Sequence, residues 1–445
     1  MEQSVDGTAA HPWPSSRRAW ATVLVLLAAY AVAFVDRQIL TLLVEPVRRD
    51  LDITDTQFSL LSGLAFTLFY TIMGVPFGWL ADRGSRRNLI IGAIAFWSAM
   101  TAACGMATSF VGLFLARIGV GVGEAGLSPA AYSMIADSFP PAKRARALSV
   151  YAIGAIAGVG LALIIGGAVI HWASTAPPVV LPILGELRSW QLAFLIVSLP
   201  GPLLALAMLF VREPQRQELS RAAAGGKNDL AAFARERWRL FLLLALGYSL
   251  IGVPLAAYLT WTPAFMIRAH GWNIATVGAV YGLVLLVFST SGILLGGWLA
   301  DSQIAKGRKD APLTVSVTGG ALAMPFAVAA PFMPDAWSAM GCIAALSFAF
   351  GLAQGLPAAS IQAIAPNRLR ARVMAVYFLI GNIIAFTVGP TGVAMISDYW
   401  LRDPAKIGVA MGLLTIAVLP FGLLSLWVAR KGFRAVAGTE LAAAA

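Results

Sequence analysis

Charge is what this sequence has least of. Asp, Glu, Lys and Arg together make up 12% of the 445 residues, against about 25% in an ordinary soluble domain. Hydrophobic types make up 59%, so there is too little polar surface to clothe a water-facing globule. Cysteine is nearly missing. Cys104 and Cys342 both sit in apolar runs, which excludes a disulfide framework and a zinc site and leaves two small core hydrophobes. Histidine is as scarce: His11, His171 and His270 fall at or beyond the ends of apolar runs, so no metal site or buried proton relay is built from them. No H-E-x-x-H or G-x-S-x-G occurs, which argues against a membrane enzyme and a resident cofactor. The formal charge of +11 does not imply a nucleic-acid partner, because the cations lie in short segments between apolar runs and not on one aqueous face.

What the chain has instead is apolar length. About 20 mainly apolar residues cross about 30 Å of hydrocarbon, and such runs cover approximately Trp20 to Val44, Gln57 to Ala81, Leu89 to Ala107, Val111 to Ala136, Leu148 to His171 and Trp190 to Val211. Six more follow at about Leu240 to Met266, Ala275 to Ala300, Leu313 to Phe332, Trp337 to Ile364, Val373 to Ile396 and Gly408 to Ala429. The fold class is therefore an all-α membrane protein of 12 transmembrane helices. Its parts are an N-terminal segment (1–19), a six-helix bundle (20–211), a central loop (212–239), a second bundle (240–429) and a tail (430–445). The stretch Met1 to Ser16 is polar, and the first apolar run is long enough to span, so a cleavable signal is not expected.

Positive charge sets the orientation. Alternate loops hold Arg83, Arg86 and Arg87, then Lys143, Arg144 and Arg146, then Lys306, Arg308 and Lys309, then Arg368, Arg370 and Arg372, with Arg17, Arg18, Arg430, Lys431 and Arg434 at the ends. The opposite loops hold only Arg48, Arg49, Arg188, Arg268, Arg402 and Lys406. Both termini are therefore expected in the cytoplasm, and the bilayer of the cell membrane is the first partner.

The two halves repeat. GWLAD occurs at Gly78 to Asp82 and at Gly297 to Asp301, each closing an even-numbered span. Pro140, Arg144, Arg146, Val150 and Tyr151 recur as Pro366, Arg370, Arg372, Val376 and Tyr377. The first pair of motifs is offset by 219 positions and the second by 226, which fits one loop insertion between them. Two parallel six-helix halves that rock about a midplane site are one of the known carrier architectures. A channel would need a filter of several like groups, which a twofold repeat does not supply.

Specific motifs carry a resemblance. GWLADRGSRR, Gly78 to Arg87, resembles the loop signature of the major facilitator superfamily. ARIGVGVGEAGLSPA (Ala116 to Ala130), FVDRQIL, SLLSGLAFTLFY and WQLAFLIVSLPG resemble its spinster-like branch. The resemblance implies a secondary transporter and, from eukaryotic members, substrates such as lysophospholipids or sphingoid phosphates. Organic anions and hydrophobic drugs are the alternatives. It also implies that Gly78, Asp82, Arg83, Arg86 and Asp137 form a cytoplasmic gate of inter-helix pairs that hold the outward-open state, with Asp82 facing the amino end of the eleventh helix.

Four ionisable residues lie deep in spans: Asp36 and Arg37 in the first, Arg117 and Glu124 in the fourth. An intramembrane charge is a functional hypothesis by default, because an unpaired one costs at least about 2.5 to 3.5 kcal/mol. Two acids and two bases should neutralise one another, and a proton on one acid would couple ion flow to conformation. Arg117 is expected to reach Asp36 or Glu124 according to state. A static ion pair locking two helices is the bland alternative. The glycines Gly119, Gly121, Gly123 and Gly126 are read as packing, and Pro254 and Pro263 as interruptions of the seventh span. Polar candidates in the second half are few, Tyr258, Gln354 and Asn382, so the pocket there should be largely apolar and suit a small amphiphilic substrate.

Overall fold

The computed structural model describes residues 13–175, 179–181, 185–216, 227–366 and 369–442. His11, Arg368 and the middle of the central loop lie outside the described residues. Among these, 12 helices are long and apolar enough to cross a membrane. In the first half they are α1 (Ser16–Leu42), α2 (Asp55–Arg83), α3 (Arg86–Met106), α4 (Phe110–Ser138), α5 (Arg146–Thr175) and α6 (Ser189–Leu209). The second half holds α7 (Arg235–His270), α8 (Ile274–Ala305), α9 (Ala311–Phe332), α10 (Ala336–Ile364), α11 (Arg372–Leu401) and α12 (Pro404–Val436). The side with the chain ends and most cations is called the inner side below, by the positive-inside rule.

Local chemistry sets the helix ends. Thr54 accepts from the Gln57 backbone while the Gln57 side chain accepts from Thr54 N–H, a reciprocal cap that starts α2. Ser109, Asn273 and Asp335 cap α4, α8 and α10 with single side chains. The first span ends at Leu42, not Val44, and a short helix, Val44–Leu51, carries Glu45, Arg48 and Arg49 along the outer surface. Residues 227–239, expected as loop, are helical and lead without a break into α7. That stretch contains Leu, Ala, Arg and Glu with neither Gly nor Pro, a composition that favours helix. The helix also runs on through Pro254 and Pro263.

Within each half the helices pack as a bundle, and the halves meet along α5 with α8 and α2 with α11. Both contacts involve a π-helical turn, Leu285–Ser289 in α8 and Ile384–Val388 in α11. Such turns disturb the regular ladder and recur at functional sites. At the α5/α8 crossing the backbones touch: a Cβ on Gly278 would lie 2.3 Å from the Leu163 carbonyl, and one on Gly282 2.7 Å from that of Gly160. Glycine is required there because nothing larger fits between two backbones. Gly278→Leu is therefore expected to cut transport in liposomes at least about tenfold, since a displacement of the hinge helices by ~1 Å costs on that order. Retention of half the wild-type rate at equal reconstitution would contradict a rigid crossing.

Candidate functional site

Asp36 and Arg37 are consecutive on α1, so they point about 100° apart and meet different neighbours. Arg37 reaches Glu124 of α4, Nε to Oε2 at 2.5 Å, with the Glu124 side chain fully buried. Its guanidinium also lies 4.4 Å from the Tyr70 ring centroid, 4.6 Å from that of Phe66 and 4.8 Å from that of Phe34. Each ring face offers a cation about 0.5 to 2 kcal/mol, so the charge is held by aromatic faces as well as by the acid. The Arg37 side chain keeps 18% of its surface accessible.

Asp36 has no such partner. Arg117 donates Nη1 to the Asp36 backbone carbonyl at 3.2 Å and not to the carboxylate. The carboxylate is buried among Arg117, Glu124, Thr101 and Trp97 on α3 and α4, with Cys104 close to Arg117. Thr101 and Trp97 face the Asp36 carboxylate, but Asp36 Oδ1, Trp97 Nε1, Thr101 Oγ1, Arg117 Nε and Glu124 Oε1 make no hydrogen bond of good geometry. Orphan polar atoms are rare in folded interiors, and this cluster of five sets the site apart from the surrounding core.

In this conformation Arg117 meets the Asp36 backbone carbonyl and neither carboxylate. Seven residues separate Arg117 from Glu124, about 10 Å along the axis, and Glu124 ends the first segment of α4 (Phe110–Glu124). That break turns its side chain to Arg37. The α4 glycines pack as expected: a Cβ on Gly121 would lie 2.6 Å from the Phe66 carbonyl, and one on Gly123 2.8 Å from Trp97.

Four tyrosines complete the first-half wall and were missed in the sequence, because a lone tyrosine in an apolar run carries no charge to flag it. Tyr30 stacks on Tyr151 at 4.7 Å, Tyr132 meets Tyr151 edge-on at 5.3 Å, and Tyr70 covers Arg37. The repeat of Tyr151 at Tyr377 was the available signal.

In the second half, Gln354 and Asn382 do line a cleft of about 220 Å³, together with Tyr248, Tyr377 and the rings of Phe350 and Phe378. Tyr258 does not belong there. Its hydroxyl donates to the Ala327 carbonyl at 2.5 Å, a group whose usual helical donor four residues on is Pro331, which has no N–H. Tyr258 therefore repairs α9 instead of facing substrate.

The inner rim divides in two. Arg86 is buried and pairs with Asp137 and with Glu213, at 3.2 Å for the latter, and donates to the Pro214 carbonyl at 2.7 Å. Burial opposes ionisation of Glu213, but the Ser85 hydroxyl, the Arg86 N–H and the Arg86 guanidinium outweigh it and hold its carboxyl below the ordinary range. Asp82 and Arg83 stand apart from this pair, both exposed, with Arg83 over Trp79 at 4.2 Å. A Cβ on Gly78, or on its repeat Gly297, would meet nothing within 4 Å. The Arg86 pairs with Asp137 and Glu213 both join segments of the first half.

The outer side is joined across the halves by Arg268 and Arg48, two loop cations, together with Glu45, Asp55, Thr56, Ser59, Thr391 and Asp398. Arg268 of α7 grips Asp55 of α2 with both terminal nitrogens at 2.8 Å and Glu45 through Nε at 2.5 Å. Arg48 adds a 3.0 Å contact to Asp55. Asp398 of α11 accepts from both the N–H and the hydroxyl of Thr56 at 2.7 Å, and Ser59 donates to Thr391 at 3.1 Å.

Comparison with known proteins follows this geometry. The family model described as Major Facilitator Superfamily matches residues 26–390. An MFS-type efflux pump of Mycolicibacterium smegmatis is 32% identical over 428 residues, which is 94% of each chain. A D-galactonate transporter of Escherichia coli O6:H1 is 25% identical over 422 residues, 88% of this chain and 93% of that one. The crystal structure of a bacterial homologue of the human lysosomal transporter spinster, inward-facing and unoccupied, superposes with a TM-score of 0.79 at 26% identity over 96% of this chain and 98% of that one.

Proposed function

Because the chain belongs to the Major Facilitator Superfamily, in its spinster-like branch, and is a multi-pass secondary transporter and not an enzyme, we propose that it couples movement of a small amphiphilic substrate to a proton at Asp36. The observation that carries this reading is the arrangement of the four buried charges. Glu124 has a cation, Arg37; Asp36 has none within ion-pairing distance and is 1% exposed. A carboxyl buried without a cation is cheaper neutral than charged, so in this conformation Asp36 holds the proton. With Arg268 of one half holding Glu45 and Asp55 of the other, the conformation is the one closed to the outside. When the helices rearrange, Arg117 leaves the Asp36 carbonyl for its carboxylate, and the proton departs.

The substrate's anionic end fits the accessible edge of Arg37 under Tyr70, and its apolar part fits the aromatic cleft with Gln354 and Asn382 at its wall. A second reading, a compact organic anion, is favoured by the likeness to a D-galactonate transporter, and it needs Arg37 but not the cleft. Glu124→Gln releases Arg37 from its partner while keeping side-chain shape. Removing one member of a buried pair costs about 3 to 5 kcal/mol, so uptake of an anionic substrate is expected to fall at least about tenfold with expression little changed. The test is uptake into liposomes across a pH series with an imposed proton gradient, using lysophospholipid-like and sugar-acid substrates side by side. Equal uptake by Glu124→Gln at every pH would remove that residue from the mechanism, and saturation by neither substrate class would overturn the substrate reading.

A further inference from the structure

The inner side of the second half holds a cavity apart from the four buried charges. It measures about 500 Å³ and is lined by Arg308, Lys309, Asp310, Arg430 and Arg434, where the loop between α8 and α9 meets the end of α12. Four cations face one acid, a surplus of three positive charges (4 − 1).

The loop owes its shape to Gly307, whose φ of +83° suits only glycine. Arg308 N–H turns back to the Gln303 carbonyl at 3.0 Å and Gly307 N–H to that of Ile304 at 2.8 Å, which ends α8 and throws Arg308 and Lys309 outward. The first half has no such loop. Asp82 is followed four residues later by the start of α3 at Arg86, whereas Asp301 is ten residues from α9 at Ala311. The insertion that offsets the two repeats therefore lies largely here, and it is basic.

Asp310 does not consume this charge. One of its oxygens, Oδ2, takes Arg430 Nε at 2.6 Å and Arg434 Nη2 at 2.8 Å. Burial opposes its ionisation, yet the donations from Arg434 and Arg430 outweigh that and bring its pKa to about 2. The latch is therefore complete above the ordinary carboxylate range and lost only as pH falls toward about 2. Arg430 spends only its Nε on the acid, and its terminal nitrogens stay available.

The lipid-facing side of α12 leads straight into this cavity. Phe421, Leu424, Trp427 and Val428 are exposed, at 65%, 55%, 58% and 47%. Leu424 lies seven residues before Lys431, and Trp427 seven before Arg434, so each pair shares a face about 10 Å apart along the axis. An apolar stripe ending in cations at the membrane surface matches acyl chains below a phosphate, while a soluble anion would use the cations and leave the stripe idle.

We propose that this cavity binds the phosphate headgroup of an anionic phospholipid of the inner leaflet, held between Arg430 and Arg434 on one side and Arg308 and Lys309 on the other. The lipid ties the inserted loop to α12 and so stiffens the second half against the first.

The test is thermal unfolding of the purified full-length protein in detergent with phosphatidylglycerol, phosphatidylcholine or soluble glycerol phosphate. Phosphatidylglycerol is expected to raise Tm by about 3 °C or more beyond phosphatidylcholine, with no effect of glycerol phosphate. The double substitution Arg308→Gln with Lys309→Gln, which leaves the Asp310 latch intact, is expected to remove at least half of that difference, and native mass spectrometry should show fewer phosphatidylglycerol molecules retained. Arg434→Gln provides the second variant. Equal shifts from the two lipids, an equal shift from glycerol phosphate, or full retention of the shift by both variants would each overturn the lipid site.

Discussion

Asp36→Asn is expected to abolish proton-gradient-driven accumulation while leaving the protein folded and able to exchange substrate down its own gradient. The amide keeps the size of the acid, and in this conformation Asp36 makes no ion pair that the change would break. Folding therefore has little to lose. What is lost is the ability to become negative when the outer side opens and Arg117 is free to pair. A carrier frozen in the neutral form still rocks, because a neutral amide costs far less to bury than a carboxylate in either state, but it no longer needs a proton to do so. Uptake driven by an imposed pH gradient should drop to the level of passive exchange, and the pH dependence of exchange should flatten. The comparison is made in liposomes at equal reconstitution, with counterflow measured in the same preparation. Wild-type accumulation by the variant would end the assignment of Asp36 as the proton carrier. Loss of counterflow together with accumulation would place the residue in substrate binding instead.

The parts legible in the sequence were those written in local pattern. Twelve apolar runs, the recurrence of GWLAD, and four charges inside spans each depend on neighbours within a few residues or on a fixed offset. The partners of those charges were less legible. Asp36 and Arg37 differ by one position, and only the helical twist decides that one faces α3 and the Arg117 turn of α4 while the other faces the α2 rings and Glu124 of α4. Tyr258 looked like a cavity polar group because its hydroxyl was visible and the orphan carbonyl of Ala327, created by Pro331 on another helix, was not. The outer lock was invisible for a similar reason. Arg268 and Asp55 are 213 residues apart, and each alone resembles a solvated loop charge; their meaning exists only once the two halves close on each other. The basic insertion after Asp301 showed in the sequence as the slip between two repeat offsets, but its charge was spent on orientation and not on a site.

Arg268→Ala is expected to open that lock and shift the whole population toward the outward-open state. The Arg268 side chain is 7% exposed and Asp55 fully buried, so the loss leaves Asp55 with Arg48 as its remaining cation and Glu45 with none from α7. Breaking a buried pair costs about 3 to 5 kcal/mol. Here the cost falls on one conformation, because Arg268 belongs to one half and Glu45 and Asp55 to the other; neither bundle needs the bond in order to fold. Such a bias moves a two-state equilibrium by about two to nearly four decades, enough to trap a carrier whose cycle requires both states to be populated. Transport should fall at least about thirtyfold with Tm nearly unchanged. The conformational shift can be read directly at Ser59, which is fully buried at the closed outer contact beside Thr391. A cysteine placed there should resist a membrane-impermeant maleimide in the otherwise wild-type protein and react on the order of a hundredfold faster in the Arg268→Ala background. Arg268→Lys, which retains the charge but not the two-pronged grip on Asp55, should fall between the two. Equal protection of that cysteine in all three backgrounds would show that the outer side is held shut by packing alone.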